Sequence, residues 1–307
     1  MIGKSVSIQI FTALLLLLNL SSCKEEDMGD IEEISGLGGD TWVKGTIDKW
    51  LMDSLTAPYN IAVQYKWDQF QYGDVSKNVV PIKEEVVIPF SRTVRNAWIK
   101  PYVDQAGLNF FNRYSPKLFV LAGSGIYFDN GGINLGQAEG GRKIVVLDLN
   151  NFRVKGMPGY VAAKDSNNVK EGVLTLHHEF GHILHANILY PPEFRTVSAG
   201  LFQGENWINL TNAEARHDGF ITNYASSGYN DDFVETISYL LVEGKDGYTR
   251  ILNSIPEGVS VNGTSKAEAQ AKLRRKEALI VNYFKSAWGI DFYSLQTRCR
   301  AAVVKLI

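Results

Sequence analysis

The sequence is poor in cysteine, in histidine outside one short segment, and in any excess of charge of one sign. Its 307 residues include two cysteines, Cys23 and Cys299, too few for the disulfide framework that holds small secreted domains together. With 31 basic residues against 33 acidic ones, there is no basic surplus to draw the chain to phosphate backbones, so nucleic acid is not an expected partner. One apolar run is long, residues 6–20 (VSIQIFTALLLLLNL), and it falls short of the roughly 20 residues that span a bilayer. No repeat of solenoid length is visible, and the glycines at 123–125 and 131–132 read as turns, not as a phosphate cradle. What is present is a 45% hydrophobic composition over a length suited to one large domain or two ordinary ones. Four of the five histidines fall within the nine residues from His177 to His185, and that concentration carries the functional reading.

Lys4 followed by the apolar run has the order of a secretory signal peptide. The run ends in Leu20-Ser21-Ser22-Cys23, which resembles the lipobox read by lipoprotein signal peptidase. Residues 1–22 are therefore expected to be a signal peptide and Cys23 the lipidated first residue. The resemblance to bacterial lipoproteins implies several acyl chains, enough for stable attachment. Residues 23–41 hold seven acids against one lysine, with four glycines, and read as a flexible tether. Lys24-Glu25-Glu26-Asp27 is also similar to the acidic export signal that sends some Gram-negative lipoproteins to the outer face of the outer membrane; an ordinary charged linker is the alternative.

Residues 42–307 read as one domain of α+β class. A helix is expected over 42–55, stopped by Pro58, and a half-buried strand over 61–67. Residues 86–90 are expected as a short edge strand because of Pro89, and Pro101 should open a short helix. Two β-rich runs, 117–128 and 142–149, flank a glycine-rich loop at 129–141. Residues 265–288 and 291–304 have helical spacing, so the fold begins mixed and ends helical. Within it 272–276 (KLRRK) is expected to be a solvated face, and Cys299 a buried free thiol.

Residues 171–190 (EGVLTLHHEFGHILHANILY) are apolar at helical spacing up to Pro191-Pro192 and contain His178-Glu179-Phe180-Gly181-His182. On a helix, positions 178 and 182 lie about 40° apart and one turn apart in height, so both imidazoles can reach one tetrahedral zinc ion. Glu179 is then placed to take a proton from a water at that ion. His185 shares the stripe but lies about 10.5 Å along the helix from His178. It is therefore a less favoured ligand, with a supporting or packing role preferred. His177 points about 100° away and reads as structural. The third ligand is sought in 220–243, where a loop leads into a helix beginning near Asp231 or Asp232. Asp231 and Glu235 are four apart and share a face; one can bind zinc while the other holds the outer N–H of a ligand histidine. Spacing alone does not decide which, and helix capping by Asn230, Asp231 and Asp232 is the bland alternative.

HHEFGHILH together with YASSGYNDDFVE is similar to the gluzincin-type zinc metallopeptidases. The closest likeness is to the lipoprotein zinc metallohydrolases associated with outer-membrane substrate import, and it extends to 58–67 (PYNIAVQYKW) and 136–142 (GQAEGGR). The resemblance implies a zincin-like domain with a mixed sheet, an active-site helix and a helical C-terminal part. It implies Asp231 as third zinc ligand, Glu235 as the acid beside it and Tyr224 as a donor to the oxyanion; apart from the resemblance, the Tyr229 hydroxyl is a second candidate for that donor. The departure is aspartate at 231 where the family has glutamate, which leaves Glu235, or Asp232, in contention. The strand at 142–149 resembles the zincin edge strand that pairs with an extended peptide. The expected activity is hydrolysis of peptide or protein amide bonds by an outer-membrane lipoprotein at the cell surface or facing the periplasm. A TonB-dependent uptake complex is a candidate partner. The alternative from another class is a surface binding lipoprotein of a nutrient-uptake complex with a structural or degenerate zinc site; a glycan-directed role, with some of the six tryptophans stacking on sugar rings, is a further one.

Overall fold

The computed structural model describes residues 42–72, 79–127, 133–139 and 141–307. The expected signal peptide, Cys23 and the tether to 41 lie outside the described residues. Residues Lys44–Ile307 fold as one unit, a small mixed sheet surrounded by many helices, in agreement with the α+β expectation.

Helix α1 (Thr46–Leu51) continues through a wider turn at Met52–Thr56 and a last turn at Ala57–Tyr59, where Asn60 ends it at φ 55°. Pro58 therefore lies inside the final turn, and the helix ends beyond the expected stop. The strands are β1 (Ala62–Gln64), β2 (Leu118–Leu121), β3 (Ile126–Tyr127), β4 (Ile133–Asn134), β5 (Gly136–Glu139) and β6 (Lys143–Val146). The main sheet has the order β1-β2-β6-β5, with β1, β2 and β6 parallel and β5 antiparallel to β6, while β3 and β4 form a separate ribbon. Alternation along β2 and β6 gives the sheet two faces. Phe119, Leu121, Ile144 and Val146 join the main core, whereas Val120, Val145 and Leu147 face a smaller cluster with Tyr72, Val79 and Ile126.

Strand β6 is internal, so 142–149 is not an edge strand; among the described residues the edges are β1 and β5, and β5 comes from the segment expected as a glycine-rich loop. Its sequence, GQAE, has little strand propensity, and backbone pairing to β6 from Gly136↔Val146 to Glu139↔Lys143 sets its form. Residues 86–90 are not a strand but part of α2 (Glu84–Thr93), which runs on through a wide-turn stretch at Val94–Ile99 into α3 (Lys100–Ala106). Val86, Val87, Phe90, Val94, Ala97 and Trp98 are all buried and recur at helical spacing. That stripe overrides the N–H missing at Pro89. Helix α4 (Leu108–Tyr114) follows.

Helix α5 (Ala162–Asn187) begins nine residues before the expected start. Phe180 is fully buried and anchors it, its ring 5.3 Å from Trp98 and 4.9 Å from Tyr102. His177 is buried beside Tyr102, with Nδ1 3.4 Å from the phenol, and is structural as expected. After α6 (Glu193–Val197) and α7 (Asn212–His217) comes α8 (Tyr229–Asn253), which bends at Gly244, where φ is 66°. Helices α9 (Lys266–Trp288) and α10 (Phe292–Val304) match the expected C-terminal pair, with the Ser265 and Asp291 side chains as N-caps. Among the described residues no helix is long and apolar enough to cross a membrane.

The basic stretch at 272–276 is only partly a solvated face. Lys276 is fully buried, with Nζ 2.6 and 2.8 Å from the Asp232 carboxylate oxygens and 2.8 Å from the Gly219 carbonyl. Cys299 is a buried free thiol, as expected.

Candidate metal centre

The centre lies between α5 and α8, and the closeness of the two helices depends on Gly181. A Cβ at that position would lie 2.8 Å from Val234 Cγ1 and 3.0 Å from Val234 Cβ, closer than side chains pack. With hydrogen there instead, the first turns of α8 come against the histidine face of α5. Asp231 is the third residue of α8, and Glu235 follows one turn later on the same face.

Three donor atoms converge across this contact. His178 Nε2 lies 3.1 Å from His182 Nε2, and Asp231 Oδ1 lies 3.8 Å from the first and 3.5 Å from the second. A tetrahedral ion with bonds of about 2.0–2.1 Å holds neighbouring donors roughly 3.4 Å apart, so the triangle fits such an ion. Among the described residues this is the group of histidine and carboxylate side chains that meets a metal-sized spacing. The other ring nitrogens are also engaged: His178 Nδ1 faces Glu235 Oε1 at 3.7 Å, and His182 Nδ1 lies 3.0 Å from His185 Nε2. His185 thus adjoins His182 without joining the triangle. Asp232 is turned away into its pair with Lys276.

Electrostatics favours imidazoles with bare nitrogens. Burial, reinforced by the charge of His182, pushes His178 down to about 3, and the same two causes bring His185 to about 4. Burial works to raise Asp231, but its hydrogen bond to His182, the charges of His182 and His178 and a hydrogen bond from Tyr224 together hold it below the usual carboxylate range. Glu235 is pushed up to about 8, first by burial and then by Asp231, Asp232 and Glu179. Its Oε2 is buried with no hydrogen-bond partner. The bare nitrogens of the two imidazoles, an aspartate held below the usual carboxylate range and a crowd of carboxylates short of positive charge are a donor set that a divalent cation suits.

A cavity of about 850 Å³ opens on the triangle. Glu179, buried, lines it with His178 and His182, and so does Tyr224. Tyr224 begins the tight helical turn Tyr224–Ser227, pinned by Asn223, whose side chain accepts from the Tyr224 N–H and donates to the Leu210 carbonyl. Its ring stacks on His178 at 5.8 Å, with Trp207 edge-on behind it at 4.9 Å. Burial pushes the Tyr224 phenol well up, with the nearby carboxylates adding to the shift. Tyr229, the other candidate phenol, packs against Phe202 and is not part of the cavity wall. Gly136 and Gln137 of β5 form the opposite wall; a Cβ at Gly136 would lie 2.3 Å from Thr175 Cγ2, which fixes how closely this edge approaches α5.

Sequence reasoning missed Trp207 and Tyr239, both in the cavity wall. Trp207 lies in an irregular helical turn, Gly204–Asn209, that carries no motif. Tyr239 was within reach, because the i, i+4 stripe through Asp231 and Glu235 continues to it.

Over residues 40–293 the chain matches the model of a family described as "Putative zinc-binding metallo-peptidase". A solved structure from Bacteroides caccae, described in the same words, superposes with a TM-score of 0.64 at 26% identity, covering 84% of this chain and 91% of that one. No curated protein matches the chain. The chain belongs to this family of zinc-binding metallopeptidases, and zinc is its cofactor.

Proposed function

We propose that this protein is a gluzincin-type metallopeptidase that cleaves peptide or protein amide bonds, with His178, His182 and Asp231 holding zinc and Glu179 as general base. The observation that carries the proposal is the triangle of 3.1, 3.5 and 3.8 Å with Glu179 beside it in the same cavity. When bound, zinc polarises a substrate carbonyl and lowers the pKa of water. Glu179, on the helix next to His178, takes the proton from the attacking water and delivers it to the leaving nitrogen. Tyr224, kept protonated by its surroundings, gives its single O–H to Asp231 in the resting site and turns it to the oxygen on which charge develops when substrate is bound. Glu235 accepts from His178 Nδ1–H as the site tightens around the ion, fixing the tautomer that leaves Nε2 bare. The free edge of β5 receives an extended substrate by main-chain pairing, the role first expected of 142–149.

The zincin-like character of the domain belongs to the same proposal, as do the lipid anchor at Cys23, the outer-membrane location and an uptake-complex partner. The latter three rest on the sequence alone. Against a degenerate or structural zinc site stand the intact His178-Glu179-His182 motif and an Asp231 oxygen close to both imidazoles despite its shorter side chain. Glu179→Gln tests the proposal: zinc content should stay at one ion per chain while chelator-sensitive hydrolysis of casein-like substrates falls by at least about 10²-fold. Full turnover in that variant refutes the assignment.

A further inference from the structure

The outer ring nitrogen of His182 meets another histidine. Its Nδ1 lies 3.0 Å from His185 Nε2, one short turn along α5, with the rings edge-to-face at 5.2 Å and 65°. His185 is buried and its ring is held on two further sides, by Tyr190 at 5.5 Å and by Phe233 at 6.2 Å, both edge-to-face. Those two rings stack on each other at 4.3 Å, and Phe233 comes from the first turns of α8, two residues after Asp231. The Tyr190 hydroxyl donates to Asn230 Oδ1 at 2.7 Å, tying the same packing to the residue before Asp231.

Resting on the metal-site assignment above, we infer that His185 is a positioning residue, not a ligand: it accepts the His182 Nδ1–H and thereby turns Nε2 towards zinc. An imidazole at this position is a neutral acceptor, where the commoner outer partner of a zinc-binding histidine is a carboxylate or a backbone carbonyl. The choice has a physical reason in this cavity. Asp231, Glu179 and Glu235 already bring three carboxylates to one ion, and a fourth would meet their repulsion. His185 supplies the hydrogen bond without the charge. Its contact with Phe233 also means that the group orienting one zinc-binding histidine is packed against the helix turn that carries the aspartate.

The test compares His185→Phe, which keeps a ring but offers no acceptor, with His185→Gln, whose amide oxygen can accept, in the full chain. Zinc affinity is read by chelator competition, the donor set by X-ray absorption of the zinc-loaded protein, and folding by thermal melting of the metal-free form. His185→Phe should melt close to the parent yet bind zinc about 10–100-fold more weakly, and His185→Gln should recover most of the loss. The parent should show two imidazoles at the metal. Unchanged zinc affinity in His185→Phe, or three imidazoles in the parent, overturns the inference. If His185→Phe fails to fold, long-range proton–nitrogen NMR of the zinc-loaded parent decides. A His182 Nδ1–H protected from exchange supports the inference, and one in free exchange with water refutes it. Failure of the parent itself to bind zinc would count against the metal-site assignment instead.

Discussion

Asp231 reaches two imidazole nitrogens from the third residue of α8 with a side chain one methylene shorter than the glutamate of the families the sequence resembles. The deficit is made up by backbone position, since Gly181 lets α8 approach α5 until the Val234 methyl fills the space a Cβ would take. Asp231 and Glu235 should therefore not be interchangeable. Asp231→Asn should weaken zinc binding by more than the about 10–100-fold expected for Glu235→Gln, because the first removes a charged donor and the second only an outer hydrogen-bond acceptor. Titration of both metal-free variants with zinc and a competing chelator checks the order; equal losses would place the two acids in equivalent roles. At this scale the sequence was legible where chemistry recurs at fixed helical spacing, as in His178, Glu179 and His182 or in Asp231 and Glu235. The choice between the two acids was not legible, because it turns on the distance between helices, which no local spacing encodes. Trp207 is brought to Tyr224 only by tertiary packing.

Helices and strands differ in how openly their residues announce them. Helices α9 and α10 agree with the sequence to within a residue because their caps are written in it: Ser265 with Glu268 forms a reciprocal capping box, and Asp291 accepts from Ser294. Strand β5 was hidden because GQAE owes its form to pairing with β6, and α2 because the local run VVIPF masked a longer helical stripe ending at Trp98. The element contact that matters most for the site is α5 against α8. Gly181→Ala should force these helices apart, costing about 1–3 kcal/mol of stability and lowering zinc affinity. Val234→Ala in the same chain should restore part of both by removing Cγ1, the nearest atom the new methyl meets. Melting curves and zinc titrations of the single and double variants measure the coupling, and strict additivity of the two substitutions would show that the contact is not the cause.

Taken as a whole, the molecule braces the α8 end of its centre from the C-terminal helices. Lys276 of α9 is fully buried and bonded to Asp232, the neighbour of Asp231, while the Phe220 ring lies 4.4 Å from its ammonium. Burial pushes Asp232 up to about 6 even with Lys276 opposing it, so removing the cation leaves a carboxylate that cannot remain charged cheaply. Lys276→Met should cost about 3–5 kcal/mol, and Asp232→Asn added to it should recover part of the loss. In the proposed centre zinc would act on the same assembly from the other side, with donors from α5 and α8 that only the folded state brings together. At a free zinc concentration about 1,000 times the dissociation constant, this linkage contributes about 4 kcal/mol. For a domain of this size that corresponds to a rise in Tm on the order of 10 °C. Chelation should lower the Tm of the parent by that amount and leave Asp231→Ala nearly unchanged, whereas Glu179→Gln should respond like the parent because it keeps all three donors. An equal response to chelator in Asp231→Ala would mean that the stabilising ion is held elsewhere, and the centre between α5 and α8 would have to be given up.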